Sequence, residues 1–303
     1  MQSLYLPRKI QKYNLHKFIN INNLTKEQRE NLPRLSQNIN SFDYLKKNQH
    51  LIHWGFLSGN KNIKAFELLK TNILNNHKKI YWYLLSKNEY AIEILKEYNY
   101  NIVWNKFYSK NKNAVKLIDK NSNINWGLLS QNEYAIEFLS KNKDKIIWYI
   151  LSNNKNAIEL LKENKHKIIW SELSKNENAI ELLEDNIDKI NWHNLSLNKN
   201  AIKLLEANVD KINWYNLSLN ENAIHLLEAN VDKINWNNLS LNENAFKLLE
   251  ANQDKINWFN LSKNKGKKIV NLYIKNLNKL NWYHVFKNPS IFYKYNGVQN
   301  IFI

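Results

Sequence analysis

Serine, aspartate and tryptophan recur in this chain at fixed spacing, with eight histidines scattered among them. Each could in principle do chemistry. A serine nucleophile needs a base within hydrogen-bond reach. Ser196, Ser218 and Ser240 each stand four residues after a tryptophan, but no histidine keeps register with them. Among His16, His50, His53, His77, His166, His193, His225 and His284, only His50 and His53 are close in sequence, and zinc needs a third ligand. Asp188, Asp210, Asp232 and Asp254 would form a carboxylate ladder. A calcium loop, however, requires several oxygen ligands within about twelve residues and a central glycine, a pattern not seen here. No H-E-x-x-H, P-loop, G-x-G-x-x-G or G-x-S-x-G motif occurs. Catalysis also needs groups whose environments push their pKa values apart, and repetition makes environments alike. No catalytic, metal or cofactor site is expected, and the chain reads as a non-enzyme.

The elements that carry these residues form an array. All 11 tryptophans belong to one series: Trp54, Trp82, Trp104, Trp126, Trp148, Trp170, Trp192, Trp214, Trp236, Trp258 and Trp282. Every step from Trp82 to Trp258 is 22 residues, the first is 28 and the last 24, and Leu32 fills the tryptophan slot of a weaker leading copy. Around Trp104 the alanine marker slips, with 23 residues from Ala91 to Ala114 and 21 from Ala114 to Ala135. A fixed period of this length is the mark of a solenoid.

The unit reads W-x-x-L-S-x-N-x-x-A-I-x-L-L-E-x-N-x-D-K-I-N. Ala223, Leu226 and Leu227 share one helical face, widened by Ile224. Asn220 is placed to cap that helix, and Asn230 to end it in a left-handed conformation. Pro289 after Asn288 supports a helix start there. Asn235 is placed to cap a second helix from Trp236, with Ile234 and Leu239 as a hydrophobic staple. The expected fold is all-α: an α-solenoid of about eleven to twelve two-helix repeats over residues 32–292, a curved rod on the order of 100 Å long. Residues 1–31, with a helix opening at Thr25, and residues 293–303 are expected to cap its ends. Trp82, Trp104, Trp126, Trp148, Trp170, Trp192, Trp214, Trp236 and Trp258 are expected as core between units. A helix of two turns is unstable alone, so each copy needs its neighbours.

Composition narrows the partners. There is no cysteine, no run of 18 apolar residues, and no apolar signal-peptide core in MQSLYLPRKIQKYNLHKF. The sequon N-L-S recurs at Asn194, Asn216, Asn238 and Asn260, which would be awkward glycosylation sites inside a packed repeat. An intracellular, unsecreted monomer is expected, with no membrane contact. The net charge of +17 is uneven. Residues 1–80 carry 14 basic and 4 acidic side chains, and residues 81–170 carry 14 and 9. Residues 171–258 carry 8 and 14, and residues 259–303 carry 8 and 0. A filament tracking a phosphate backbone along its whole length should be basic throughout.

The motif, in copies such as NENAIHLLEANVDKINWNNLSLN and in NPSIF, resembles the short helical tandem repeats abundant in giant DNA viruses of amoebae, over roughly residues 32–292. The resemblance implies a helical solenoid of viral origin, active in the host cell or virion. Asn-Glu-Asn usually replaces the Asn-Pro-Asn of that pattern; only Asn288-Pro289 keeps the proline.

Variation falls just after each tryptophan. The Trp+1 slot holds Tyr83, Tyr149, His193, Tyr215, Asn237, Phe259 and Tyr283, aromatic and adaptable polar residues suited to a protein-recognition stripe. The Trp+2 slot changes from Phe56, Leu84, Leu128 and Ile150 to Asn194, Asn216, Asn238 and Asn260. That change predicts an extra apolar strip in the first half, covered by residues 1–31 or by a partner. The leading functional reading is a scaffold for a protein partner. The alternative is nucleic-acid binding through the basic ends, with Lys263, Lys265, Lys267, Lys268, Lys275 and Lys279 as the candidate patch.

Overall fold

The computed structural model describes residues 12–17, 19–76, 79–98, 111–120 and 124–295. Each regular unit is a pair of short helices, as the patterning requires. In the unit opening at Trp214 these are Trp214–Leu217 and Ile224–Glu228, and a 3-10 turn, Val231–Lys233, leads to the next helix, Trp236–Leu239. Leu217, Ala223 and Leu227 are fully buried, with Leu226 and Ile234 close behind. Asn235 caps as expected, its Oδ1 accepting from the Asn238 amide at 2.9 Å.

Two other asparagines work differently from expectation. Asn230 has φ −137°, so it is not left-handed; instead its amide donates to the Leu226 carbonyl at 2.9 Å and closes the helix from the side chain. Asn220 accepts from the Asn222 amide across a turn, and the helix proper begins only at Ile224. The Asn220 amide also crosses to the preceding unit, donating to the carbonyls of Ser196 at 3.2 Å and Asn198 at 3.0 Å.

That second bond repeats along the chain as a buried ladder. Asn60, Asn88, Asn111, Asn132, Asn154, Asn176, Asn198, Asn220, Asn242, Asn264 and Asn288 each donate to a carbonyl of the unit before. Serine forms the companion link. Ser218 Oγ donates to the Trp214 carbonyl at 2.8 Å and accepts from the Asn235 amide at 3.0 Å, joining two units through one hydroxyl. Paired buried polar groups of this kind dictate register, because any slip would strand them without partners.

Irregular steps leave the ladder intact. The 28-residue step is absorbed by a 14-residue helix, Ile63–Asn76. Across the alanine slip, Asn111 still reaches Asn88 and Asn132 still reaches Asn111. Trp104 itself lies outside the described residues.

The array closes on itself. Asn38 donates to the carbonyls of Phe286 at 3.3 Å and Asn288 at 2.8 Å, and Asn40 to that of Pro289 at 3.2 Å. Strand β1, Lys12–Leu15, pairs antiparallel with strand β2, Phe292–Tyr295, with Lys12 opposite Tyr295 and Leu15 opposite Phe292. The helix Lys26–Asn31, opened by a capping box at Thr25, lies against the Trp282–Val285 helix. The expected open rod is therefore corrected to a ring of twelve units, roughly 30 Å across along its helix axes. The physical reason is a rotation of about 30° per unit, which brings the last unit back to the first. Of the segments read as end caps, residues 12–17, 19–31 and 293–295 meet at this seam instead, and the rest lie outside the described residues.

Candidate binding surface

The tryptophans are not fully interior. Trp82, Trp126, Trp148, Trp170, Trp192, Trp214, Trp236 and Trp258 are half-buried against the core, and among the described tryptophans only Trp282, at 4% exposure, is buried. An indole on the first residue of a one-turn helix overhangs the helix end. A lysine covers the overhang: Lys233 Nζ lies 4.7 Å from the Trp214 ring centre, and Lys167, Lys189, Lys211, Lys255 and Lys279 repeat this on Trp148, Trp170, Trp192, Trp236 and Trp258. The lysine of D-K-I-N thus shields an aromatic face through its stem and its charge, a role the sequence analysis missed. Its signal was a recurring 19-residue offset, as between Trp214 and Lys233, which lengthens to 21 between Trp258 and Lys279.

The Trp+1 stripe is outward-facing. Tyr83, Tyr149, Tyr215 and Phe259 are 45–58% exposed, and His193 and Asn237 are exposed as well. Tyr283 is half-buried beneath Arg34, whose guanidinium carbon is 4.4 Å from its ring centre.

The Trp+2 slot belongs to the scaffold. Asn194, Asn216, Asn238 and Asn260 donate to the Trp+1 carbonyls of Ser171, His193, Tyr215 and Asn237 in the preceding unit. The apolar occupants serve the same joint by packing. Ile150 faces Gly127, and Leu84 faces Gly59, across the unit boundary. Neither needs a separate cover.

Closure rearranges the charges. The described parts of the two most basic segments, within residues 12–80 and 259–295, become neighbours at the seam, away from the acidic residues 171–258. The six candidate lysines do not form one cluster. Lys263 lies over Phe259 at 4.1 Å and Lys279 over Trp258 at 4.9 Å. Lys265, Lys267 and Lys268 border a shallow depression with Glu243 and Phe246, and Lys275 is exposed at the end of the Val270–Lys275 helix.

Three histidines flank the seam. His16 lies 5.0 Å from Tyr293, and burial pushes its pKa down. His53 Nδ1 accepts from the Phe56 amide; burial lowers its pKa, opposed by its backbone hydrogen bond and aided by Arg34. Burial also lowers His284, with Lys263 and Lys287 acting in the same direction. No group of three metal-ligating side chains occurs among the described residues, His50 and His53 included. Among them, too, no helix is long and apolar enough to cross a membrane. The fold is a repetitive scaffold of short helices, joined at the seam by one two-stranded ladder, with no metal-binding cluster among the described residues. Compared with protein-family models, curated proteins and solved structures, the chain matches none.

Proposed function

We propose that this ring is a non-enzymatic recognition scaffold that binds a protein partner along its Trp+1 stripe. The supporting observation is a division of labour between adjacent slots. Trp+2 side chains are engaged in joining units, whereas Tyr83, Tyr149, His193, Tyr215, Asn237 and Phe259 stand exposed and varied. Rigid, exposed aromatic side chains on a fixed frame suit protein recognition. In keeping with the viral repeats its motif resembles, the partner is a host or virion protein. An intracellular setting is supported by Asn216 and Asn238, sequon residues that are buried and hydrogen-bonded and so unsuited to carrying a glycan. Affinity capture from host cells, with nuclease present, tests the reading. A partner should be retained by the native chain and lost by Tyr149→Ser/Tyr215→Ser/Phe259→Ser; an identical protein profile from both would defeat it.

One observation favours a second reading, nucleic-acid binding: closure brings the described residues of the two basic end segments side by side. Binding of this kind weakens steeply with salt.

A further inference from the structure

The seam carries an arrangement found nowhere in the acidic half of the ring. In units 192–241 the Trp+2 slot is asparagine and the Trp+5 slot is leucine (Leu197, Leu219, Leu241). At the seam both slots change. Arg34 takes the Trp+2 position of the first unit, counted from Leu32, and its guanidinium is held between Tyr283 at 4.4 Å and Phe56 at 4.1 Å. Lys287, in the Trp+5 slot, lies 4.2 Å from the Tyr283 ring centre, and Lys263 lies 4.1 Å from that of Phe259. His284 links these two rings, meeting each edge-on at 5.0–5.1 Å. The result is a continuous band of cations and rings drawn from four successive units.

None of these three cations pairs with a carboxylate among the described residues. The helix Lys26–Asn31 packs against Trp282–Val285, and its Glu27 and Glu30 are exposed and make no ion pair with the band. A guanidinium clamped between rings keeps its N–H edge free, which is the edge that meets a phosphate. Phe259, 51% exposed, offers ring surface beside it.

We propose that this band is a binding site for single-stranded nucleic acid, with Arg34, Lys263 and Lys287 contacting phosphates and Phe259 taking a stacked base. Alternating cations and aromatic rings suit an unpaired strand, whose bases are free to stack. A duplex, with its bases enclosed, would use the charges alone, and an acidic peptide would have no use for the rings. The inference rests on the nucleic-acid reading given second above.

Fluorescence anisotropy of a labelled oligothymidine with the full chain, titrated with salt, tests it. The oligonucleotide should bind more tightly than a duplex of equal length. Lys263→Gln/Lys287→Gln should lower the slope of log K against log salt by about 1.4, at about 0.7 for each phosphate contact on a single strand. Phe259→Leu, which retains bulk, should weaken binding about tenfold. Melting curves confirm that each variant is folded. No binding by the native chain would overturn both the inference and the reading beneath it. Binding abolished by Lys267→Gln/Lys268→Gln/Lys275→Gln but untouched by the seam variants would keep the reading and overturn this site. Equal affinity for duplex, or displacement by polyglutamate of matched charge, would overturn the single-strand assignment in favour of simple polyanion or acidic-protein binding.

Discussion

Asn38 donates its side-chain amide to the Asn288 carbonyl at 2.8 Å, the same bond that Asn220 makes to Asn198 at 3.0 Å, although the first pair is 250 residues apart and the second 22. The seam is thus an ordinary unit boundary. It forms without a covalent neighbour to guide it, so the joint geometry is a property of the repeat and not of the linker. An open solenoid leaves two apolar faces to be shielded, while a ring leaves none.

Equivalence of these bonds predicts equivalence of their loss. Asn38→Ala and Asn220→Ala each remove two buried hydrogen bonds to the preceding unit; the Asn288 and Asn198 carbonyls keep those from the Ile291 and Ala201 amides, while the Phe286 and Ser196 carbonyls lose their side-chain donor. Each should destabilise the chain by about 2–4 kcal/mol, read from chemical denaturation. A near-neutral Asn38→Ala beside a damaging Asn220→Ala would mean that the ends are apart in solution.

Closure can also be trapped. The chain has no cysteine, and Asn14 and Tyr293 face each other across the two-stranded ladder. Directly opposed antiparallel residues have Cα atoms about 4.5–5.5 Å apart, within disulfide reach. Oxidised Asn14→Cys/Tyr293→Cys should therefore run as a monomer with altered mobility on a non-reducing gel, and revert on reduction. Cross-linked dimers alone would argue against an intramolecular seam.

Acid should weaken the seam before it affects surface ion pairs. His16, His53 and His284 all have pKa values below 6.5 in the fold. Above 6.5 folded and unfolded chains are both neutral at these rings. As pH falls below 6.5 the unfolded chain takes protons that the folded chain resists, so the stability from these groups is complete above that value and is lost on acidification. Denaturation midpoints should drop between pH 7.5 and 5.5. His53→Asn/His284→Asn, which restores the residues common in other units at these slots, should flatten the profile. An unchanged profile would show that these rings do not couple to folding.

Much of this was legible in the sequence because a repeat prints each physical requirement many times. Ala223, Leu226 and Leu227 at helical spacing, and Asn235 before Trp236, specify the helix pair. What stayed hidden depends on distances between copies. Asn220 reads as a cap, and does accept from a backbone amide, but its donor half acts on Ser196 and Asn198. Lys233 reads as a solvated charge, yet covers Trp214. Closure was least legible of all, because curvature is the sum of small rotations between units and no single residue encodes it. The stripe at Trp+1 was found by its variability. The seam band could not be, since Arg34 and Tyr283 become neighbours only once the ring shuts.

Consensus reasoning should fail at one identifiable place. Gly266 occupies the slot of Asn222 and Asn244, whose amides donate to the carbonyls of Lys199 and Glu221 in the unit before. Restoring the consensus by Gly266→Asn would ordinarily be expected to add such a bond. Here the carbonyl that would accept it, that of Glu243, lies against the glycine, and a Cβ at position 266 would clash with that oxygen. The obstacle is main chain, so it yields only if the joint between units shifts. Gly266→Asn should therefore destabilise by about 1–3 kcal/mol, as overpacking does. Gly127 is a contrast, because a Cβ there would meet only side chains, those of Ile150 at 3.4 Å, Asn125 at 3.6 Å and Ile147 at 3.8 Å, all ordinary contacts. Gly127→Ala should leave the midpoint nearly unchanged. A stabilised Gly266→Asn would show that the joint with the preceding unit shifts freely enough to admit the side chain.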